Sequence, residues 1–301
     1  MSALIMWNGE FVSSNKILSN QITVPFNTLD RAWNYGQGIF ETIRVIDGQP
    51  QWLDLHLQRL QQGARTLFIP LIISQIDQEI RKVLDCISNQ SGSLKIIISP
   101  IGVRRGYRIT QGLHNQRCIQ WFPFSNSIQP QLPARIILCD VRLANNQKLA
   151  GIKHSARLEY VMAFEEVKKA SADEGIVLNS EEFIVEALQA NIFWIKNNVL
   201  CTPSLKQAGV AGIMRKIILQ AAHELDLKTE VAHFSLEDIW QSEYCFLSNT
   251  HYGLQQVCSL SISPQQISRL TKIPTTLIKK WSTQSENTIF SQLTNAVRCL
   301  G

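Results

Sequence analysis

The sequence predicts an α+β protein built as two domains. Each half mixes strand-like segments, in which apolar residues alternate or run together, with segments whose apolar residues recur at helical spacing. Between the halves lies a polar, proline-containing stretch, residues 124–133, which is typical of an interdomain linker. We therefore expect a smaller α+β domain at residues 1–123 and a larger one at residues 134–301.

The first half predicts four strands and one helix. The helix is expected at residues 52–67, where four apolar residues share one face: Leu53, Leu57, Leu60 and Ala64. The strands are expected at residues 22–25, 39–45, 94–99 and 118–122.

The second half predicts four further strands and three helices. The strands are expected at residues 135–141, 175–178, 183–186 and 191–195. The helices are expected at residues 155–170, 213–225 and 236–241. The first of these has an apolar stripe of Leu158, Val161, Met162 and Phe164, and the second should bury Ile217, Ile218 and Ala221.

Composition excludes several classes of protein. Of the 301 residues, 45% are hydrophobic and 18% are charged, which argues against a disordered or fibrous chain. The 29 basic and 24 acidic residues give a net charge of +5 and are scattered, so no nucleic-acid partner is expected. No apolar stretch approaches the roughly 20 residues that span a bilayer, so no membrane association is expected either.

The start of the chain and its cysteines predict a cytoplasmic location. The first ten residues lack the basic region of a signal peptide. The seven cysteines include no CxxC pair and no closely spaced histidine, which favours buried thiols in a reducing compartment over disulfides. The same spacing predicts no metal site.

The commonest catalytic signatures are absent, since the chain has no GxGxxG, P-loop, HExxH or GxSxG pattern. Lys153 stands at a predicted strand-to-helix junction near a glycine, where partial desolvation would suit it to covalent bonding with a carbonyl group. Glu186 and Asn191 interrupt strand-like sequence, where a carboxylate could bind a protonated heterocycle nitrogen.

Two other segments suggest anion binding. Residues 202–215 form a glycine-containing loop that leads into a helix, whose free amides could bind a phosphate. Arg59, on the early helix, could also clamp a phosphate. Each signal alone has an ordinary alternative: a solvated lysine or arginine, an outward strand carboxylate, or a plain glycine turn.

In sequence order, these segments resemble the class IV pyridoxal-phosphate aminotransferase family, from Trp7 to about Cys258. The matching motifs are Asp30-Arg31, Tyr35-Gly36, Gly38-Ile-Phe-Glu-Thr-Ile-Arg44, His56-Leu-Gln-Arg59-Leu60, Lys153, Glu186, Asn191-Ile-Phe193 and Gly209-Val-Ala-Gly212. The family implies a two-domain fold type IV enzyme with pyridoxal 5′-phosphate in the cleft between the domains. It also implies that the larger domain binds the cofactor and that the protein is a homodimer.

The resemblance implies roles for individual residues. Lys153 would hold the cofactor covalently and act as the catalytic base, and Glu186 would pair with the pyridinium nitrogen. Arg59 and the amides at the start of the helix after Gly212 would hold the phosphate. The full implied set of cofactor-binding residues is Lys153, Glu186, Arg59, Asn191, Gly212, Ile213, Met214 and Thr250.

Within the family, residues 151–159 and 209–215 are similar to the branch that cleaves 4-amino-4-deoxychorismate. Leu158 and Met214 stand where branched-chain aminotransferases typically have tyrosine and threonine, which also favours the lyase branch. The implied reaction releases 4-aminobenzoate and pyruvate, a step in folate synthesis. The alternatives are a branched-chain or D-amino acid aminotransferase and a cofactor-binding protein without turnover.

The small-molecule substrate is expected to contact Tyr35, Phe40, Arg44, Arg105 and Tyr107. Arg105 and Arg44 would supply cations for a carboxylate, and solvated arginines are the alternative for both. The chain departs from the family pattern at four positions in pocket loops, which bear on the substrate more than on the cofactor: Gln37, Pro100, Ile101 and Gln256.

Overall fold

The computed structural model divides the chain into two compact units. The first comprises residues 1–129 and 152–156, and the second comprises residues 130–151 and 157–301. The described residues are 4–12, 27–102, 106–109, 112–124, 132–267, 277–282 and 287–299. The expected strand at residues 22–25, the candidate Arg105 and most of the expected linker lie outside them. The domain boundaries drawn from the sequence therefore stay predictions.

Within the described residues, six antiparallel strands form the sheet of the first unit, in the order β2-β1-β6-β5-β3-β4. They are β1 (Leu4–Trp7), β2 (Glu10–Phe11), β3 (Ile39–Ile46), β4 (Gln49–Pro50), β5 (Gly92–Ile101) and β6 (His114–Pro123). Every second residue of β3 is buried, as expected for a strand with one face on the core. The strands predicted at residues 39–45, 94–99 and 118–122 are confirmed.

The helices in the described part of the first unit are α1 (Arg31–Tyr35), α2 (Leu53–Thr66) and α3 (Ile73–Ile87). α2 confirms the helix predicted at residues 52–67, and it buries Leu57, Leu60 and Ala64 in one core with the inward side chains of β3 and β5. The predictions above do not include α3, although its buried residues recur at helical spacing: Ile76, Ile80, Val83 and Ile87.

In the second unit, the described residues contain a nine-stranded mixed sheet. Its strands are β7 (Ala134–Leu143), β8 (Glu174–Asn179), β9 (Ile184–Ala187), β10 (Asn191–Lys196), β11 (Val199–Pro203), β12 (Thr229–Ala232), β13 (Tyr244–Asn249), β14 (Gly253–Ser261) and β15 (Ile278–Lys280). Their order is β12-β11-β10-β13-β14-β7-β8-β9, with β15 also paired to β14. All four predicted strands are confirmed, within a residue or two at their ends, as parts of β7 to β10.

Among the described residues of the second unit, the helices are α4 (Leu158–Lys169), α5 (Ile213–Glu224), α6 (Leu236–Trp240), α7 (Pro264–Ile267) and α8 (Thr288–Cys299). α5 and α6 confirm the helices predicted at residues 213–225 and 236–241. α5 buries Ile217, Ile218 and Ala221 as expected. No helix in the described part of the chain has the length and apolar character needed to cross a membrane.

α4 confirms the helix predicted at residues 155–170, but its apolar stripe does not face the core. The four stripe residues are exposed by 41% to 72%: Leu158, Val161, Met162 and Phe164. The buried face of α4 is instead formed by Ala163 and Val167. Val167 packs onto Gly175 in β8, where an added Cβ would lie only 2.7 Å from its Cγ2. Small residues at this contact let the helix lie close to the sheet, so its large residues point outward.

The described cysteines are free thiols. As predicted, Cys118, Cys139, Cys201 and Cys245 are buried, whereas Cys86 is exposed and Cys258 is intermediate. Cys86 lies near the end of α3, next to the buried Ile87, where the outer face of an amphipathic helix meets solvent.

Candidate active site

Lys153 lies in a short segment that pairs with the beginning of β3. The backbone N–H of Phe40 donates to the Lys153 carbonyl at 3.1 Å, and the N–H of Ser155 donates to the Gly38 carbonyl at 2.8 Å. The Lys153 Nζ lies 4.4 Å from the centroid of the Phe40 ring, which is a cation–π contact. The lysine is therefore fixed at its backbone by β3 and at its amine by an aromatic face.

Phe40 belongs to the face of β3 that points away from the core, and Arg44 shares this face because side chains alternate along a strand. On the neighbouring strand, Lys95 is paired directly with Thr42. The Lys95 Nζ lies 5.9 Å from the Phe40 ring centroid. The structure thus gathers the positive charges of Lys153, Lys95 and Arg44 along one face of the first sheet.

The opposite face of β3 carries a buried cluster of Glu41, His56 and Arg59. Arg59 donates to the Glu41 carboxylate through Nε at 2.7 Å and through Nη2 at 2.5 Å. The His56 Nδ1 donates to the same carboxylate at 2.7 Å. Glu41 therefore fixes the orientation of Arg59, the residue expected to bind phosphate.

Electrostatics explain why Glu41 can be buried. Burial alone would raise its pKa, but the charge and hydrogen bonds of Arg59 and the hydrogen bond of His56 outweigh burial and lower the pKa to about 2. For His56 burial dominates, and the pKa of the imidazole is lowered despite the neighbouring carboxylate. At neutral pH the cluster is therefore an ionised Glu41 paired with Arg59 and a neutral His56.

Two expected substrate residues meet beside α1. The rings of Tyr35 and Tyr107 are 5.2 Å apart, and the Tyr35 hydroxyl accepts a hydrogen bond from the Gly106 N–H at 2.9 Å. Arg31 donates to the Gly106 carbonyl at 2.9 Å and to the Tyr107 carbonyl at 3.1 Å. Gln37, one of the departures from the family pattern, accepts from the Arg31 Nε at 2.5 Å. The substituted glutamine thus helps to hold the arginine that fixes this loop.

Glu186, in the second unit, is a buried carboxylate with three neutral hydrogen-bond donors. The Tyr160 hydroxyl donates to Oε1 at 2.6 Å. The Asn191 side-chain amide at 3.2 Å and the Val210 N–H at 2.9 Å donate to Oε2. Burial and then the charge of Glu186 raise the pKa of Tyr160 well above its usual range, so this phenol keeps its proton. Glu186 is 3% exposed, so the alternative of an outward strand carboxylate is wrong.

Two glycines let the loop before α5 approach this carboxylate. Gly209 has a φ of +88°, and an added Cβ there would lie 3.3 Å from the Glu186 Cδ. At Gly212 an added Cβ would overlap the Asn191 Oδ1. The Asn191 amide also donates to the Val210 carbonyl at 3.0 Å. The loop is thereby bound to the hairpin that carries Glu186 and Asn191.

α5 begins directly after this loop, with Gly212 as its N-cap. No described side chain caps this end of the helix. The amides of Ile213 and Met214 therefore present the positive end of a helix to an anion, while both side chains are buried. Thr250 stands in the turn that follows β13 and is half-buried.

Several residues of these clusters are not among the candidate site residues, including Glu41, Lys95 and Tyr160. Glu41 has a detectable signal, because it is a charged residue at an inward position of a strand, between Ile39 and Ile43. Tyr160 has none, since only the fold brings α4 and β9 together. Among the described residues, no group of three or more His, Cys, Asp or Glu side chains could hold a metal ion.

Comparison with known proteins identifies the family. The family model described as amino-transferase class IV matches residues 38–260. The chain is 30% identical to aminodeoxychorismate lyase of Vibrio harveyi over 254 residues, which are 82% of this chain and 91% of that protein. The crystal structure of 4-amino-4-deoxychorismate lyase from Pseudomonas aeruginosa is similar at a TM-score of 0.79 and 26% identity, covering 98% of both chains. The crystal structure of branched-chain amino acid aminotransferase from Thermobaculum terrenum in its PLP-form has a TM-score of 0.77 at 17% identity, covering 98% of this chain and 92% of the other. The family expected from the motifs is confirmed: this chain belongs to the class IV aminotransferases.

Proposed function

We propose that this protein is a lyase that converts 4-amino-4-deoxychorismate into 4-aminobenzoate and pyruvate. The observation that carries the proposal is the positive face of the first sheet, where Lys95 and Arg44 accompany Lys153. The proposed substrate has two carboxylates, whereas a branched-chain amino acid has one. Two further cations on the sheet face that carries Phe40 therefore suit the lyase substrate better. The similarity to lyases of the same family supports the same choice.

Pyridoxal 5′-phosphate is the cofactor, as in the rest of the family, and the chain offers groups that fit each part of it. The Lys153 amine suits its aldehyde, and the buried Glu186 carboxylate suits a protonated ring nitrogen. The uncapped start of α5 suits the phosphate. In the proposal Arg59 and Thr250 also bind the phosphate, and Asn191 orients Glu186.

In the proposed reaction, the bound cofactor supplies an electron-accepting ring to the carbon that carries the substrate's amine. The Lys153 Nζ removes the proton from this carbon, and the Phe40 ring shields the amine from water. The C–O bond to the enolpyruvyl group breaks, and a proton added to its methylene carbon completes pyruvate. The remaining ring becomes aromatic, so one substrate yields one 4-aminobenzoate and one pyruvate.

Glu186 has a separate task in this reaction. Its carboxylate holds the proton on the ring nitrogen, and its neutral partners Tyr160, Asn191 and Val210 keep it in place. By the same family resemblance we propose that the protein acts in folate synthesis, in the cytoplasm and as a homodimer. Sedimentation of the purified protein tests the last point.

The deciding experiment incubates the cofactor-loaded protein with enzymatically generated 4-amino-4-deoxychorismate and follows both products. We expect equal amounts of 4-aminobenzoate and pyruvate, with no release by Lys153→Ala. Lys148→Ala is the matched control, because Lys148 is an exposed lysine in the turn before the same segment. Absence of both products would reject the lyase.

The aminotransferase alternative is tested in the same preparation. Leucine or D-alanine is supplied with a keto-acid acceptor, and the new keto acid is measured. Its formation without release of 4-aminobenzoate from the lyase substrate would replace the proposed function with transamination.

A further inference from the structure

Glu174 is a buried carboxylate that the proposed reaction does not use. It is the first residue of β8 and is 5% exposed. Its carboxylate accepts hydrogen bonds from three backbone amides: Gly175 at 2.9 Å, Leu188 at 3.2 Å and Gln189 at 3.1 Å. A buried carboxylate costs free energy unless hydrogen bonds satisfy it. Apart from the adjacent Gly175, the amides that satisfy Glu174 are those of Leu188 and Gln189, so these hydrogen bonds also hold the backbone at residues 188 and 189.

Leu188 and Gln189 lie in the turn between β9 and β10, which comprises residues 188–190. Glu186 is the last residue but one of β9, before this turn, and Asn191 is the first residue of β10, after it. The two side chains are themselves hydrogen-bonded, with Asn191 Nδ2 donating to the Glu186 carboxylate at 3.2 Å. Whatever sets the turn therefore also sets the relative position of Glu186 and Asn191.

The turn has a second anchor on its other side. The Asn249 side-chain amide donates to the Gln189 carbonyl at 3.1 Å. Asn249 is the last residue of β13, and Thr250, an expected phosphate ligand, follows it. Gln189 thus donates its N–H to Glu174 and accepts from Asn249, which fixes its peptide groups from both sides.

The surroundings of Glu174 make its hold on the turn sensitive to charge. Burial raises the pKa of Glu174 to about 7, the three backbone hydrogen bonds oppose this rise, and the charge of Glu186 adds to it. The other titratable groups that face it are the phenol of Tyr252 and the thiol of Cys139, whose pKa values burial also raises. Neither of these carries a charge at neutral pH, so Glu186 is the main charged neighbour.

We propose that Glu174 is a positioning residue that fixes the β9–β10 turn and thereby holds Glu186 and Asn191 in the geometry that the cofactor needs. Glu174 contacts neither cofactor nor substrate in this assignment; it acts through the turn. The inference rests on the proposed role of Glu186 at the cofactor ring. It applies equally to lyase and aminotransferase chemistry, since both use that role.

The test compares Glu174→Gln with Asp173→Asn. Gln keeps one accepting oxygen and replaces the other with a donor, which cannot accept from Leu188 or Gln189. Asp173 is the preceding residue, and its exposed carboxylate pairs with Arg135 instead of accepting from the amides of the turn. The Leu188 N–H also donates to the Gly175 carbonyl at 3.0 Å and keeps that acceptor in the variant, so Gln189 is the reporting amide. Amide hydrogen exchange of the cofactor-free protein should show about tenfold or greater loss of protection at Gln189 in Glu174→Gln alone. Unchanged protection of Gln189 would overturn the proposal.

Kinetic and cofactor-binding measurements distinguish loss of positioning from a general disruption of the fold. In the proposal, Glu174→Gln weakens cofactor affinity and lowers kcat by about tenfold in the wild-type background, but lowers kcat less than about twofold when Glu186 is already Gln. An equal loss in both backgrounds would show that Glu174 does not act through Glu186. If Glu186→Gln itself changes neither cofactor affinity nor kcat, the proposed role of Glu186 fails, and the exchange result still reports on the turn.

A further measurement needs no variant and so does not depend on Glu174→Gln folding. The protection factor of Gln189 in the wild-type protein should be higher at pH 8, where Glu174 is ionised and accepts more strongly, than at pH 6. Amides elsewhere in β9 and β10 serve as internal references. The same protection at both pH values, after correction for intrinsic exchange, would contradict the inference.

Discussion

Glu41 and Glu186 are both buried strand carboxylates, one in each unit, but they are satisfied by different partners. Glu41 is bound by the guanidinium of Arg59 and by His56. Glu186 accepts hydrogen bonds from a phenol, a side-chain amide and a backbone amide. Glu41 is thus hydrogen-bonded directly to a guanidinium, whereas the hydrogen bonds described for Glu186 come from neutral groups and the Arg215 cation acts on it only through its charge.

The different partners give the two buried charges different roles. The ion pair with Arg59 compensates the charge of Glu41 inside the first unit. This interaction stabilises the folded state and orients Arg59. The hydrogen bonds described for Glu186 come from uncharged groups, and in the proposal its carboxylate binds the protonated ring nitrogen of the cofactor. We therefore expect substitutions of Glu41 to affect mainly stability and substitutions at the Glu186 cluster to affect mainly catalysis.

The largest expected effect is on stability in Glu41→Gln. Removing one partner of a buried ion pair leaves the Arg59 cation uncompensated, which costs about 3–5 kcal/mol. Urea unfolding at neutral pH measures this loss. Asp77→Asn is the control, because Asp77 forms an exposed pair with Arg81 and should change stability by less than about 0.5 kcal/mol. A loss below about 1 kcal/mol in Glu41→Gln would contradict the structural assignment.

Acid should break the same cluster in the wild-type protein. The pKa of Glu41 is lowered from 4.5 to about 2 on folding, so its stabilisation is fully present above pH 4.5 and disappears as the pH falls through about 2. The shift corresponds to about 3 kcal/mol. Unfolding free energies of wild type and Glu41→Gln, measured from pH 6 to pH 2, should converge toward the acid end. Parallel curves would be inconsistent with a strongly lowered pKa.

A smaller effect is expected from Tyr160→Phe, which removes the hydroxyl that donates to Glu186. Loss of this charge-assisted hydrogen bond should lower kcat about tenfold, with the unfolding free energy changed by about 1 kcal/mol or less. Tyr244→Phe is the control, since Tyr244 is a buried tyrosine of β13. If Tyr160→Phe instead lost stability and kept its kcat, Glu186 would resemble Glu41 and the comparison would fail.

The sequence predicts where helices and strands lie better than it predicts which face of each one is exposed. The alternation in β3 and the helical spacing in α2 and α5 identify elements whose one face is buried, and the structure confirms them. The apolar stripe on α4 is exposed, because helical spacing identifies a face of a helix but not the layer against which the helix packs. There, Gly175 admits a close contact that only small residues can fill.

For the candidate site, the motifs supply Lys153 and Glu186 but not the groups that support them. Glu41 is visible as a charge at an inward strand position, yet the bidentate pair with Arg59 depends on how α2 lies on the sheet. Tyr160 and Glu174 reach Glu186 or its hairpin only through contacts between elements that are distant in sequence. Such contacts follow from the fold and leave no local pattern.

The most direct test of the account is kcat per cofactor-loaded molecule for Glu186→Gln and Glu41→Gln, measured side by side at saturating cofactor and substrate. Normalising by bound cofactor removes molecules lost to unfolding, so only the chemical step is compared. We expect Glu186→Gln to lower kcat by about 100-fold or more and Glu41→Gln to lower it less than about tenfold. Equal losses, or a larger loss in Glu41→Gln, would contradict the division of the two carboxylates into one that serves the cofactor and one that serves the fold.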